Sequence, residues 1–492
     1  MSEYLHGAYG RIRTEGNRVP DDAAGAIVYV GTAPVHNTQG GASRVNVPIT
    51  LRNMGEAKRL LGYSDDWAHY TLCEAMRVHF EIKGVGPLVM INVLDPATHK
   101  TTTGGTASIK PENGRIVIPA AEDIVLDSLA LTGKTLGTDY TASYDQTKKV
   151  ITLTETAPGK LGIADIAITY AIIDPDLVDE DDVIGTTDGA GLYTGLFVIK
   201  NVYQQTGMIP TQLLCPGFSG VPSVHDAMYA VSRKINGHWD AWMRADLPLA
   251  DSEAVALTLA TAPTFKAQNG YNRSNETVYF PLCKGGDGRI YHLSVLAAAN
   301  FQELLTEQDG IPYKTASNTP CPVIQSLYMG SGNEKRMLDD EVINESLNRY
   351  GIASAAFVGG RWVIWGAHAA DYNETDADQI NVSETNVMML YYISNDFQSR
   401  RTRDIDQPMS LNALRSIVAE EQARLDALVK VGALTMGEVY LNAEEDDRSD
   451  MVMGDFTFSF RVTTTPLAKS LTAIVNWTDE GFVTLFGGQE EE

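Results

Sequence analysis

Basic residues are scarce in this chain. Of its 492 residues, 38 are Lys or Arg against 63 Asp or Glu, a net charge of −25. Nucleic-acid sites need clustered cations, so this balance excludes phosphate-backbone binding and disfavours an anionic membrane surface. Cysteine is equally sparse. Cys73, Cys215, Cys283 and Cys321 are widely spaced and form no CxxC pair. That argues against a disulfide framework or a zinc site and points to buried free thiols in a reducing cytoplasm. Long apolar runs are missing too, since stretches such as Gly351–Val358 fall far short of the ~20 residues of a membrane helix. Met1–Gly7 has no basic stretch followed by an apolar core, so the expected site of synthesis and folding is a cytoplasm.

Catalytic signatures are also lacking. There is no GxxxxGK[ST] loop, and Gly285-Gly286-Asp287-Gly288 fits a turn between two strands better than a phosphate cradle. Gly217-Phe218-Ser219-Gly220 is followed by Val221, so it lacks the second glycine of a nucleophile elbow. The nine His form no HExxH. The acidic runs at 174–182 and 444–447 lack the DxDxDG spacing that wraps oxygens around Ca²⁺, so they are expected to be charged loops. Trp239 and Trp242 suggest helix-packing aromatics rather than a sugar platform. The expectation is no catalytic residue, no cofactor and no metal.

What is present is a mixed texture. The run 26–33 (AIVYVGTA) and the run 87–93 (PLVMINV) have the pattern of strands buried on both faces. Between them lie a strand or loop at 47–51 and helices over about 54–61 and 70–80. From about 100 to 190 the chain turns rich in Thr, Asp and Gly. Short alternating runs at 115–118, 124–126, 140–144, 150–153 and 166–172 predict a small β-sandwich or barrel. This segment carries fifteen acids and seven bases, net −8. Further on, helices are expected over 224–235, 251–260, 292–305 and 334–348, with strands at 277–282, 353–358 and 361–365. A long amphipathic helix over 410–431 has Leu411, Leu414, Val418, Leu425 and Leu428 on one stripe. Alternating Phe456, Phe458, Phe460 and Val462 mark a half-buried strand, and Phe482–Phe486 a last short one. Both chain ends have the character of strands without local partners, fit to add to a neighbour's sheet edge.

The order of these segments resembles the contractile tail sheath proteins of myophages and phage-tail-like contractile injection systems. The resemblance is carried by Gly7-Ala8-Tyr9 and the strand Ala26–Ala33. It continues in Val47-Pro48-Ile49-Thr50 with the helix Gly55–Gly62, and in Ala297-Ala298-Ala299-Asn300. Leu347–Ile352 (LNRYGI) is similar to the family's LNxxGI, 360–367 (GRWVIWGA) to its GxxVWGA, and Gly432-Ala433-Leu434 to its GAL segment. It covers most of the chain outside about 100–190. The opening departs from the family's usual Pro-Gly-Val-Tyr, with His6 in place of the proline and Ala8 in place of the valine.

The resemblance implies an α+β multidomain fold: a mixed α/β sheath core, an inserted β-sandwich-like domain, and extended N- and C-terminal strand arms. The implied plan is an arm at 1–20, a discontinuous middle domain at 21–99 and 191–375, an outward-facing insertion at 100–190, a C-terminal domain at 376–478 and an arm at 479–492. It implies a structural subunit that polymerises as stacked hexameric rings around an inner tube and contracts to drive that tube through a target envelope. Implied partners are other sheath copies, a tail tube protein, and baseplate and tail terminator proteins, within a virion tail or phage-tail-like particle. No nucleic acid or membrane partner is expected. The inter-subunit arm candidates are Tyr4, Leu5, Tyr9, Ile12, Phe482, Val483, Leu485 and Phe486. For the tube contact, the charged segment 334–348 offers Lys335, Arg336, Asp339, Asp340, Glu341 and Glu345. A non-contractile filament or surface-layer protein is the alternative that shares arms and lack of catalysis.

Overall fold

The strand Gly25–Gly31 lies inside an eight-stranded sheet of a computed structural model. The structure describes residues 25–101, 106–189, 191–335, 339–374, 380, 382–441, 452–479 and 481–482. The chain divides into two units, Met1–Ser410 and Leu411–Glu492.

In the first unit the sheet runs in the order Arg361–Trp365, Ile352–Val358, Glu276–Tyr279, Trp242–Asp246, Ile209–Leu214, Gly25–Gly31, Leu88–Asn92, Ile49–Leu51. The inner six strands are parallel, and the outermost strand at each end pairs antiparallel to its neighbour. Alternation along the strands splits the core in two. Ile27, Tyr29, Leu88 and Met90 face a layer with the helices Leu72–Met76 and Leu293–Glu307. Ala26, Val28, Val30, Val89 and Ile91 face a second layer with the helix Pro222–Ser232. Covering on both faces explains why these strands are continuous apolar runs. The small Ala297-Ala298-Ala299 stretch is fully buried, consistent with close helix-to-sheet approach.

Residues 100–190 contribute two three-stranded antiparallel sheets. One joins Thr106–Ile109, Ile166–Thr169 and Ala130–Leu131; the other joins Arg115–Ile118, Val150–Glu155 and Tyr140–Asp145. Ile116, Leu131, Ile151, Leu153 and Ile168 share one core. Body and insertion are tied together at a few polar points. His36 Nε2 and Asn37 Nδ2 both reach the Glu122 carbonyl, at 2.8 and 2.9 Å, and the Gln39 amide donates to the Ala142 carbonyl.

Several elements differ from expectation. Residues 251–260 form no helix; the helix lies at Ala262–Gln268. The Asp251 carboxylate intercepts the amides of Glu253 and Val255 at 3.0 and 2.9 Å, a local turn that competes with helix. Trp242 packs from a buried strand rather than from a helix. Residues 334–348 split into the two-residue strand Glu334–Lys335 and the short helix Asp340–Ser346. The expected run at 124–126 contributes only an isolated bridge from Ile124 to Ile172.

The second unit holds the helix Leu411–Lys430 and the antiparallel hairpin Leu434–Leu441 with Phe458–Thr464. Leu414, Ile417, Leu425 and Leu428 form the helix's buried stripe, while Leu411 is exposed.

Candidate assembly surfaces

The parallel strands, counted along the chain, lie in the order 2-1-3-4-5-6. In such doubly wound sheets ligands occupy the crevice beyond the strand C-termini where the order reverses, here between Gly25–Gly31 and Ile209–Leu214. In this chain Thr71 fills that place. A Cβ on Gly31 would lie 2.3 Å from Thr71 Oγ1, and one on Gly217 would lie 2.7 Å from its methyl group. Thr71 Oγ1 accepts from the Thr32 amide, and Thr32 Oγ1 donates to the His69 carbonyl. Thr71 thus packs against the glycines at the ends of these two strands.

Several buried polar groups nearby pair with one another. Arg244, fully buried, pairs with Glu384 at 2.9 Å and Tyr279 at 2.5 Å, while Glu384 also accepts from Thr277 and Thr315. His225 meets Glu276 at 2.5 Å. Asp246 accepts from the amide and hydroxyl of Ser294. Burial opposes a charge on His292, but Glu74 at 2.6 Å, with Asp246 behind it, carries the imidazole up to about 9. His79 is the opposite case. Burial lowers it to about 4 while Tyr29 and Gln302 bracket its two nitrogens. Burial also takes His36 to about 4. These networks tie strands and helices together, which is the chemistry of a rigid body.

The surfaces available for assembly lie elsewhere. Lys335, Asp339, Asp340, Glu341 and Glu345 are all exposed; Arg336 lies outside the described residues. The helix Asp340–Ser346 buries Ile343 alone, and Asp340 and Glu341 sit in its first turn, where the helix dipole favours them. Neighbouring charges are partly paired, with Glu334 on Lys284 at 2.7 Å and Glu345 on Arg349 at 3.2 Å.

Of the arm candidates, Tyr4, Leu5, Tyr9, Ile12, Val483, Leu485 and Phe486 lie outside the described residues. Phe482 is exposed, and its amide closes a turn on the Asp479 carbonyl. The stronger feature lies just upstream, where sequence reasoning placed nothing. Residues 468–479 belong to no helix or strand and are exposed throughout. They include Leu471 at 91%, Ile474 at 82%, Val475 at 89% and Trp477 at 81% exposure. In an extended conformation Leu471, Ala473, Val475 and Trp477 fall on one face, with Thr472, Ile474, Asn476 and Thr478 on the other. The run of apolar residues is visible in the sequence. What the sequence could not reveal is that Leu471, Ile474, Val475 and Trp477 stand exposed.

No family model matches the chain. It is 24% identical, over 99% of both chains, to a tail sheath protein of Burkholderia phage BcepMu. Its fold matches a chain of the anti-feeding prophage baseplate at 13% identity and TM-score 0.55, covering 96% of this chain and 100% of the other. It also matches the sheath complex of an extracellular contractile injection system, PVC, in its contracted state, at 12% identity and TM-score 0.53 over 97% and 99%. The chain is thus similar in sequence to a phage tail sheath protein and shares its fold with chains of contractile-injection assemblies.

Proposed function

We propose that the chain is the sheath subunit of a contractile injection machine. It polymerises as stacked hexameric rings around an inner tube, and a baseplate trigger shortens the stack and drives the tube through a target envelope. The observation that carries this reading is the exposed apolar segment 468–479. A soluble acidic protein gains nothing from presenting Leu471, Val475 and Trp477 to water unless another chain covers them. A strand donated to a second copy provides that cover, and backbone hydrogen bonds keep the copies joined while rigid bodies reorient. The arm thus begins earlier than position 479. A second strand would come from residues 1–20 of another copy.

The tube contact is assigned to Lys335, Arg336, Asp339, Asp340, Glu341 and Glu345. Contacts that must break during contraction suit exposed charge better than deeply apolar packing. The insertion at 100–190 would face outward, where its net −8 repels like particles.

Negative-stain microscopy of the purified protein at rising concentration is the test. Hollow cylinders with a cogwheel cross-section are expected. Monomers persisting at high concentration, or solid filaments with one fixed helical pitch, would count against a contractile sheath.

A further inference from the structure

We propose that Gln422 closes one edge of the C-terminal hairpin to incoming strands, so that strands from other copies are directed away from Leu434–Leu441. Gln422 stands on the helix Leu411–Lys430. Its Oε1 accepts from the Val439 amide at 3.0 Å, and its Nε2 donates to the Gly437 carbonyl at 2.9 Å. Gly437 and Val439 are two residues apart, so both groups point to the same side of the strand, away from Phe458–Thr464. One side-chain amide therefore makes the pair of bonds that a neighbouring strand would make.

Two further observations show that the position is built for this. The second Nε2 hydrogen goes to Asp426 Oδ1 at 2.8 Å, one helical turn on. A carboxylate requires a donor, so Asp426 fixes which end of the amide faces which backbone group. Gly437 lets the helix come close enough, since a Cβ there would lie 2.9 Å from Leu425 Cβ. An open strand edge invites uncontrolled pairing, and Gln422 removes that hazard at Leu434–Leu441.

This inference rests on reading 468–479 as a strand donor, and the experiment separates the two. A synthetic peptide of residues 465–482 is titrated into the dilute full-length chain, with stoichiometry read by native mass spectrometry and Val439 amide exchange by NMR. Gln422→Met keeps the bulk of the side chain and loses both bonds; Gln422→Leu is a second form should the first fold poorly. Each variant should bind one more peptide per chain than wild type. Val439 should exchange at least about tenfold faster without peptide. Unchanged stoichiometry, or unchanged Val439 exchange, overturns the edge closure. Absence of peptide binding to wild type contradicts the donor reading instead, and Val439 exchange then decides the closure alone.

Discussion

The eight-stranded sheet has one short edge and one edge covered by its own chain, whereas the C-terminal hairpin has two strands and is followed by an exposed apolar segment. At one end of the large sheet the edge strand Ile49–Leu51 is three residues long. At the other, residues 318–321 lie along Arg361–Trp365: the amides of Asn318 and Cys321 donate to the Ile364 and Trp362 carbonyls, and the Ile364 amide donates to Thr319. A sheet finished in this way is a body that other copies can rotate without entering. A two-stranded hairpin is marginal alone and gains most from an added strand. Under the proposed function the difference is a division of labour, with one unit rigid and the other joining copies.

The largest effect is expected where the joining unit is disabled. Leu471→Asp with Val475→Asp should abolish polymerisation seen by light scattering and microscopy, while the melting temperature of the large unit stays within a few degrees. Cylinders formed by this double variant would break the comparison at its weaker side. The converse experiment is Glu384→Ala, which strands Arg244 without its carboxylate inside the large sheet. A cost of about 3–5 kcal/mol is expected by denaturant unfolding, because a buried charge left alone is expensive. An unchanged midpoint would mean that the network is not what makes this body rigid.

Acidity sharpens the contrast because residues 411–492 contain no His. His36 and His79 are held near 4 in the fold against an ordinary value of about 6.5. The unfolded chain therefore takes up protons first as pH falls. Stability present above about 6.5 is lost between there and about 4, by about 3 kcal/mol per residue. His292 works in the other direction. Held up to about 9, it stabilises fully below about 6.5, and that contribution disappears as pH rises through about 9. Denaturant unfolding followed across pH 4–10 should show the large unit most stable near neutrality. His79→Gln should flatten the acid limb by about half.

The smallest effect concerns the tube. Asp339→Lys with Asp340→Lys should weaken assembly on purified tubes severalfold and lower the melting temperature only slightly, through loss of the helix-dipole interaction. Tube-bound assembly at wild-type levels would remove these residues from the contact.

The same contrast explains what the sequence made legible. The strands Gly25–Gly31, Leu88–Asn92 and Ile352–Val358 declare themselves because both faces are buried by local apolar neighbours. The insertion's strands show through their alternation, and the helix Leu411–Lys430 through its stripe. The strand Trp242–Asp246 was hidden because Arg244 and Asp246 look solvated. Only the fold brings Glu384, 140 positions away, against Arg244. The helix Glu384–Arg401 was missed for a related reason, since its buried side includes Glu384, Asn395 and Arg401 beside Val387 and Met388. The exposed segment 468–479 escaped notice because exposure is a property of the folded chain. Gln422 had no sequence signal, as its role depends on a glycine fifteen positions later.

Hydrogen exchange compared between the dilute subunit and the assembled particle tests the central claim most directly. Amides of residues 471–477 should exchange freely in the subunit and become strongly protected in the particle, while those of Gly25–Gly31 and Leu88–Asn92 remain equally protected in both. Residues 471–477 exchanging freely in intact particles would contradict the account.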